Sequence, residues 1–308
     1  MIYALGAFYG FHLGHKQLLI RAKQRADFET TGWGVFTFDG HPQQLFNKEG
    51  FKLLFTPEER DILVKSLSIP EIEKIPFTHT FAEQTPDEFI NLISARKKIH
   101  GLVVGENFLF GRGRSGNPEM LAAMCLNRNW SLDVVPSYKI NGVTVSSTAI
   151  REAILRGRID IASEMLGHPF IIQSKIVKGD SRGRTLGYPT ANMYVKTGKV
   201  YPARGSYTSI VFLGGKWYPA ALNIGYNPTF EGIRALRCEV HISEFSGDLY
   251  GQTLTLFIIK RNRDEIRFPD VLSLKNQLEK DIKHTNTSAN TYIRENKQIL
   301  SNFEQILL

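Results

Sequence analysis

Two histidines separated by Leu-Gly close the segment Gly6-Ala7-Phe8-Tyr9-Gly10-Phe11-His12-Leu13-Gly14-His15, which follows an apolar run and leads into a helical pattern. Glycines such as Gly6 and Gly14 permit close backbone approach, and the amides that open a helix favour an anion. No carboxylate stands near the pair, so a zinc protease is a poor fit. His12 and His15 suit a phosphate, donating hydrogen bonds as charge builds on it in a transition state. Phe8 belongs to the same loop. Ser146-Ser147-Thr148-Ala149-Ile150-Arg151 opens another helical pattern, where Ser147 and Thr148 can cap the helix or hold phosphate, with Arg151 one turn on. Gly105-Glu106-Asn107-Phe108-Leu109-Phe110-Gly111-Arg112-Gly113-Arg114-Ser115-Gly116 adds an amide, aromatic rings and two arginines after a buried strand.

A second cluster lies far along the chain, in Gly179-Asp180-Ser181-Arg182-Gly183-Arg184-Thr185-Leu186-Gly187-Tyr188-Pro189-Thr190-Ala191-Asn192. Gly179, Gly183 and Gly187 among backbone donors, with Arg182 and Arg184, make a natural phosphate cradle. The Thr190 hydroxyl and the Asn192 amide oxygen can ligate Mg²⁺, which prefers oxygen and tolerates few protein ligands. No Gly-Lys-Ser/Thr follows, so this is not a Walker A loop. The histidine loop and the cradle, in their order along the chain, suggest two consecutive nucleotide reactions on one product.

The elements that must position these groups differ between the two halves. In the first, Ile2–Leu5, Trp33–Phe38, Gly101–Gly105 and Leu132–Val135 read as buried strands, with a weaker one at Ile72–Phe77. Gln17–Arg25, Pro57–Leu67, Thr85–Lys97, Pro118–Arg128 and Thr148–Arg156 read as helices between them. Thr85 and Glu88 form a capping box, with Pro86 at the first helical position. Such alternation predicts a Rossmann-like α/β domain with a mainly parallel sheet, whose ligands bind at the carboxyl ends of the strands. After Leu166-Gly167-His168-Pro169 the pattern becomes β-rich, with strands at Phe170–Val177, Ser206–Phe212, Trp217–Ile224, Arg237–Ile242 and Thr253–Ile259. That spacing predicts a small antiparallel β-barrel. A helix at Pro269–Lys283 follows; His284–Thr291 is polar and reads as a loose connection to a last helix, Tyr292–Leu307. Two domains are expected, 1–167 and 168–308.

The three N-terminal segments, in this order, resemble the nucleotidylyltransferase superfamily, and with the Asn107 segment the adenylyltransferase half of bacterial FAD synthetases. The resemblance implies attack of the FMN phosphate on the α-phosphorus of ATP, giving FAD and pyrophosphate. It places Gly6, Phe8, Gly14, Ser147, Thr148 and Arg151 around ATP, His12 and His15 on the α-phosphate, and Asn107 near the flavin or the phosphates. The family usually writes Gly-x-Phe-Asp-Gly here, and this chain has Tyr9 in place of the aspartate.

The second cluster strongly resembles riboflavin kinase, extending through Asn223–Phe230, Cys238–Ile242, Asp248–Gly251 and Arg263-Asp264-Glu265. By that resemblance Glu239 is the base for the ribityl 5′-hydroxyl, which is a poor nucleophile without one. Gly179, Arg184, Gly187 and Thr190 hold the nucleotide, Thr190 and Asn192 hold Mg²⁺, and Arg263 and Asp264 shape the flavin pocket. The chain as a whole is similar to bacterial bifunctional FAD synthetases. The implied ligands are riboflavin, FMN, FAD, ATP and Mg²⁺. Two alternatives are a kinase with an impaired adenylyltransferase domain, suggested by Tyr9, and a non-catalytic flavin-binding regulator.

Composition sets the outer limits. Apolar residues make up 42% of 308 residues and charged residues 22%, ordinary for a globular protein. No apolar run approaches the ~20 residues that span a bilayer, so no membrane association is expected. The start of the chain does not read as a signal peptide. Two distant cysteines, Cys125 and Cys238, fit a reducing cytoplasm. The net charge of +8 suits phosphate-rich ligands; with no basic run or zinc-finger pattern, nucleic acid is not an expected partner, and a homo-oligomer stays open.

Overall fold

The structure, a computed structural model, describes residues 1–46, 50–178, 187–228 and 234–308. The sequence-derived candidates Gly179 and Arg184, with the rest of the cradle to Leu186, lie outside the described residues, as do Thr229 and Phe230. In chain order the first elements are β1 (Ile2–Leu5), α1 (Leu13–Phe28), β2 (Trp33–Asp39), α2 (Pro42–Phe46), α3 (Pro57–Ser66), β3 (Ile72–Pro76), α4 (His79–Ala82) and α5 (Pro86–Arg96). Then come β4 (Gly101–Gly105), α6 (Pro118–Leu126), β5 (Ser131–Val135), β6 (Lys139–Ile140), β7 (Val143–Thr144), α7 (Ser147–Leu155) and α8 (Ile159–Leu166). The last are β8 (Phe170–Val177), β9 (Ala191–Met193), β10 (Gly205–Leu213), β11 (Lys216–Pro228), β12 (Arg234–Ile242), β13 (Thr253–Arg263), α9 (Val271–Glu295) and α10 (Lys297–Leu307).

Two compact units form, one of Met1–Lys52 with Leu67–Ser147, the other of Leu53–Ser66 with Thr148–Leu308. The first is built on a five-stranded parallel sheet in the order β3-β2-β1-β4-β5. All four residues of β1 are fully buried, which is why this central strand reads as an unbroken apolar run. The capping box expected at Thr85 and Glu88 is present, and α5 buries Phe89, Ile90 and Ile93 against Tyr3, Leu5, Leu102 and Val104. From β1 the chain winds outward through β2 and β3, then returns to place β4 on the other side of β1, with Ala4 beside Val103. The carboxyl ends of β1 and β4 therefore flank the switch point, where open α/β sheets bind their ligands.

The second unit is a closed six-stranded antiparallel barrel, β10-β11-β12-β9-β8-β13. Along β12, Cys238, Val240 and Ile242 are buried while Arg237, Glu239 and His241 are only partly so, the alternation of a strand with one packed face. The sixth strand, β9, has three residues, too short for periodicity to reveal. Helix α3 belongs to this unit through Glu59, whose carboxylate meets Lys199 Nζ at 2.5 Å with both side chains out of solvent.

One expectation is overturned. Residues 284–291 form no loose connection: α9 runs unbroken from Val271 to Glu295. Asp281, Thr285 and Ala289 recur at one-turn spacing and are buried. Small side chains at 285 and 289 let the helix lie close on β10 and β11. Asn262 donates to the Thr285 hydroxyl at 3.3 Å, so the polarity that suggested a loop is used in packing.

Candidate active sites

The loop leaving β1 is shaped by its own rings. Phe8 and Phe11 both hold positive φ (45° and 42°) and stack at 5.8 Å, while Phe8 also packs on His15 at 5.0 Å. His12 is the N-cap of α1, and its Nδ1 accepts the backbone N–H of His15 at 3.3 Å. With Nδ1 an acceptor, the neutral ring carries its proton on Nε2, which is left to donate. Burial pushes the His12 imidazole down to about 4, so it stays neutral at ordinary pH. The two imidazoles stack at 3.7 Å and 14°. Gly14 makes this possible: a Cβ there would sit 3.2 Å from two atoms of the His12 ring and 3.5 Å from the Val145 carbonyl oxygen. The segment entering α7 thus passes beside Gly14. Ser147, Thr148 and Arg151 follow in the first turns of α7, with Arg151 one turn on from each of the two hydroxyls. Burial pushes the Arg151 guanidinium down. Gly6 packs against the Phe8 ring, 3.2 Å from where a Cβ would lie.

The loop leaving β4 carries Asn107, whose Nδ2 donates to Ser137 Oγ at 3.0 Å, while Glu106 accepts the Ser137 N–H at 3.1 Å. Beside it opens a cavity of 830 Å³ whose lining includes Tyr9, Phe38, His41, Phe77, Phe81 and Asn107. Along β2, Phe36 is fully buried in the core, and Phe38, two residues on and on the same face, packs against that core and borders the cavity. Tyr9 donates to the Gly40 carbonyl at 2.7 Å and packs at a tilt on His41 at 4.1 Å, and His41 packs in the same way on Phe51 at 4.1 Å. The sequence pointed to Asn107 and Phe108 but not to His41, Phe51 or Phe81, which sit outside any motif. The density of phenylalanines between residues 36 and 89 was the available signal.

In the barrel, register builds a polar row across three strands: Asn223 pairs with Glu239, and Glu239 with Asn192. Directly opposed residues share a face. Arg237 completes the group, donating from Nε to Asn192 Oδ1 at 2.9 Å and pairing with Glu239 Oε1 at 2.7 Å. Arg237 and Asn223 were absent from the sequence-derived candidates: Asn223 reaches Glu239 only through the β-pairing, and Arg237, two residues before Glu239 on the same strand, reaches Asn192 across it. Thr190 precedes β9 and lines a separate cavity of 490 Å³ with Phe245, Leu249 and Tyr250. Gly187, at φ 87°, lies three residues upstream of Thr190. Thr190 and Asn192 suit a magnesium–nucleotide: both are neutral oxygen donors, and Arg237 occupies one of the two lone pairs of Asn192 Oδ1. Arg263 is held elsewhere, its Nε 3.1 Å from both Asp281 oxygens and its side chain donating to the Asp264 carbonyl at 2.9 Å. Asp264 is exposed and pairs with Arg261 at 2.8 Å. Among the described residues no group of His, Cys, Asp and Glu is arranged to hold a metal.

Residues 1–149 match the family model described as FAD synthetase, and residues 166–289 the one described as riboflavin kinase. A bifunctional riboflavin kinase/FMN adenylyltransferase from Haemophilus influenzae is 33% identical over 282 residues, covering 91% of each chain. One from Listeria monocytogenes is 32% identical and covers 92% of this chain and 91% of that one. The chain belongs to the bifunctional riboflavin kinase/FMN adenylyltransferase family. A crystal structure described as a macrolide-efflux protein from Streptococcus pneumoniae has the same fold, with a TM-score of 0.84, 31% identity, and coverage of 92% of this chain and 93% of that one. That description belongs to the other protein. In the present chain, among the described residues, no helix is long and apolar enough to cross a membrane. As members of this family do, the chain carries two transferase domains, so a kinase-only reading is not favoured.

Proposed function

We propose that the N-terminal domain (1–167) transfers AMP from ATP to FMN, and that the C-terminal domain (168–308) first makes that FMN from riboflavin. The carrying observation is that the His12-x-Gly14-His15 loop and the Asn107 loop leave β1 and β4, the adjacent strands flanking the switch point of the parallel sheet. In adenylyl transfer the nucleophile is already a phosphate anion, and positioning with charge stabilisation suffices. The His12 Nε2–H and His15 donate to the α-phosphate, Ser147, Thr148 and Arg151 hold the outgoing pyrophosphate, and Gly6, Phe8 and Gly14 shape the loop. The aromatic cavity takes the isoalloxazine ring. Tyr9 spends its hydroxyl on Gly40 and its ring on His41, so it walls this cavity and adds no charge to it.

In the kinase step the riboflavin 5′-hydroxyl oxygen bonds to the γ-phosphorus, the bond to ADP breaks, and the hydroxyl proton passes to Glu239. Arg237 keeps Glu239 oriented. Mg²⁺ held by Thr190 and Asn192 supplies charge neutralisation on the nucleotide when bound. Both steps belong to the cytoplasm, where ATP and riboflavin meet.

Chromatography of flavins tests this directly, with one reaction started from riboflavin and another from FMN, each with ATP and Mg²⁺. FAD from both is the expected result. FMN from the first and nothing from the second would remove the adenylylation proposal, and no product in either would remove both.

A further inference from the structure

Arg114 has no part in the two reactions as assigned above. It lines the 830 Å³ cavity, and among the described residues the only carboxylate side chain on that lining is Glu83. Among the described lining residues Arg114 is the one arginine, an exposed side chain at the edge of a largely aromatic space. Among the described residues no carboxylate pairs with it, in contrast to Arg21, Arg25 and Arg96 of the same unit.

Its loop is built to hold it there. Phe110 and Gly116 bond to each other in both directions, at 3.1 and 2.8 Å, and close the loop at its base. The Arg112 N–H donates to the Gln84 carbonyl at 2.6 Å and ties the loop to a second segment of the cavity wall. Gly111 must be glycine: its φ is 74°, and a Cβ would lie 2.9 Å from the Pro86 ring. Arg114 itself holds φ 61°, a conformation that persists in a non-glycine residue only where the surroundings enforce it. A loop closed by backbone hydrogen bonds that presents an exposed arginine, with no carboxylate partner among the described residues, at the edge of an aromatic cavity fits a ligand with a planar ring at one end and an anion at the other. Arginine suits phosphate oxygens in particular, through its fork of donors.

We propose that Arg114 is the residue that selects the phosphorylated flavin at this cavity, binding the 5′-phosphate of FMN and so discriminating against flavins that lack it. This rests on the reading of the cavity as the flavin site of adenylyl transfer. It assigns to Arg114 a specificity role in substrate binding, separate from the handling of ATP phosphates by the His12 loop.

Three full-length proteins test it: wild type, Arg114→Gln and Arg114→Lys, with Arg112→Gln as a control that removes the same charge from the same loop. Arg114→Gln is expected to raise the KM for FMN in FAD formation about tenfold or more, with kcat and the KM for ATP within about twofold, the pattern of a lost binding contact. Lysine should restore part of the loss, and Arg112→Gln should change little. Direct binding of FMN and of lumiflavin, which keeps the ring but lacks the phosphate, provides a readout independent of turnover. Arg114→Gln should weaken FMN binding and leave lumiflavin unchanged. An unchanged FMN affinity, an equal loss for lumiflavin, or an equal effect of Arg112→Gln would overturn the proposal. A wild type that binds FMN but makes no FAD would instead count against the catalytic reading, with the binding comparison still deciding the role of Arg114.

Discussion

The His12 imidazole folds back onto the first turn of its own helix and accepts the His15 N–H, in space left by the missing side chain of Gly14. A methyl at 14 would press on the ring at 3.2 Å and must displace it by a few tenths of an ångström. Misplacement on that scale is costly when a donor must meet a developing charge. Gly14→Ala should therefore lower FMN-to-FAD conversion at least about tenfold while riboflavin phosphorylation stays within about twofold. Equal loss of both activities would point to general unfolding and refute the local account.

The His12 environment also predicts a pH dependence of stability. Its ordinary value is 6.5 and burial lowers it to about 4 in the folded chain. Between these values the unfolded chain binds the extra proton, so the contribution of this group is fully present above pH 6.5 and is lost as pH falls toward 4. The loss is on the order of 3 kcal/mol at most. Denaturant midpoints of wild type and His12→Gln should diverge at pH 7 and converge near pH 4. Titration of the His12 ring followed by NMR near 6.5 would contradict the assignment.

Glu239 sits in register between Asn192 and Asn223, held by Arg237. Replacing it with glutamine preserves the shape and removes the proton acceptor. Riboflavin phosphorylation should fall roughly 10²- to 10⁴-fold, the usual worth of a general base. FAD formation from supplied FMN should persist. A kinase rate within threefold of wild type would exclude Glu239 as the base.

Lys199 and Glu59 form the most deeply buried ion pair among the described residues. Lys199 Nζ also donates to the Leu54 carbonyl at 3.0 Å, and Glu59 accepts the N–H groups of Thr56 and Gln173 at 2.8 and 2.7 Å. Burial pushes the Lys199 ammonium down, and the Glu59 carboxylate opposes that shift. Glu59→Leu or Lys199→Met alone should cost about 3–5 kcal/mol by stranding a buried charge. The double variant should recover much of that loss in denaturant unfolding. A double variant as unstable as the sum of the singles would mean the two side chains are not energetically coupled.

Much of the fold was legible because its signals are local. The apolar runs of β1, β2 and β4 are continuous since parallel strands are buried on both faces, and Thr85, Pro86 and Glu88 announce α5 by their own hydrogen bonds. The polar stretch after His284 misled, because Thr285 and Ala289 are small residues of a close helix packing and only the surface they meet reveals it. Strand β9 was read as chemistry through Thr190 and Asn192 rather than as structure, since three residues carry no period.

Motifs that depend on residue type at short spacing were thus legible in the sequence alone: the histidine pair with its glycine, the hydroxyls opening α7, the Thr190–Asn192 pair, and through them the family. What only the tertiary structure decided are the groups assembled from distant positions. Asn223 and Asn192 join Glu239 through strand register, Tyr9 packs on His41 and His41 on Phe51, and Glu59 reaches Lys199. The reason is physical. Hydrogen-bonding potential and helix or strand periodicity are written into neighbouring residues, whereas burial, cavity shape and ion pairing arise only when segments far apart in the chain exclude water from one another.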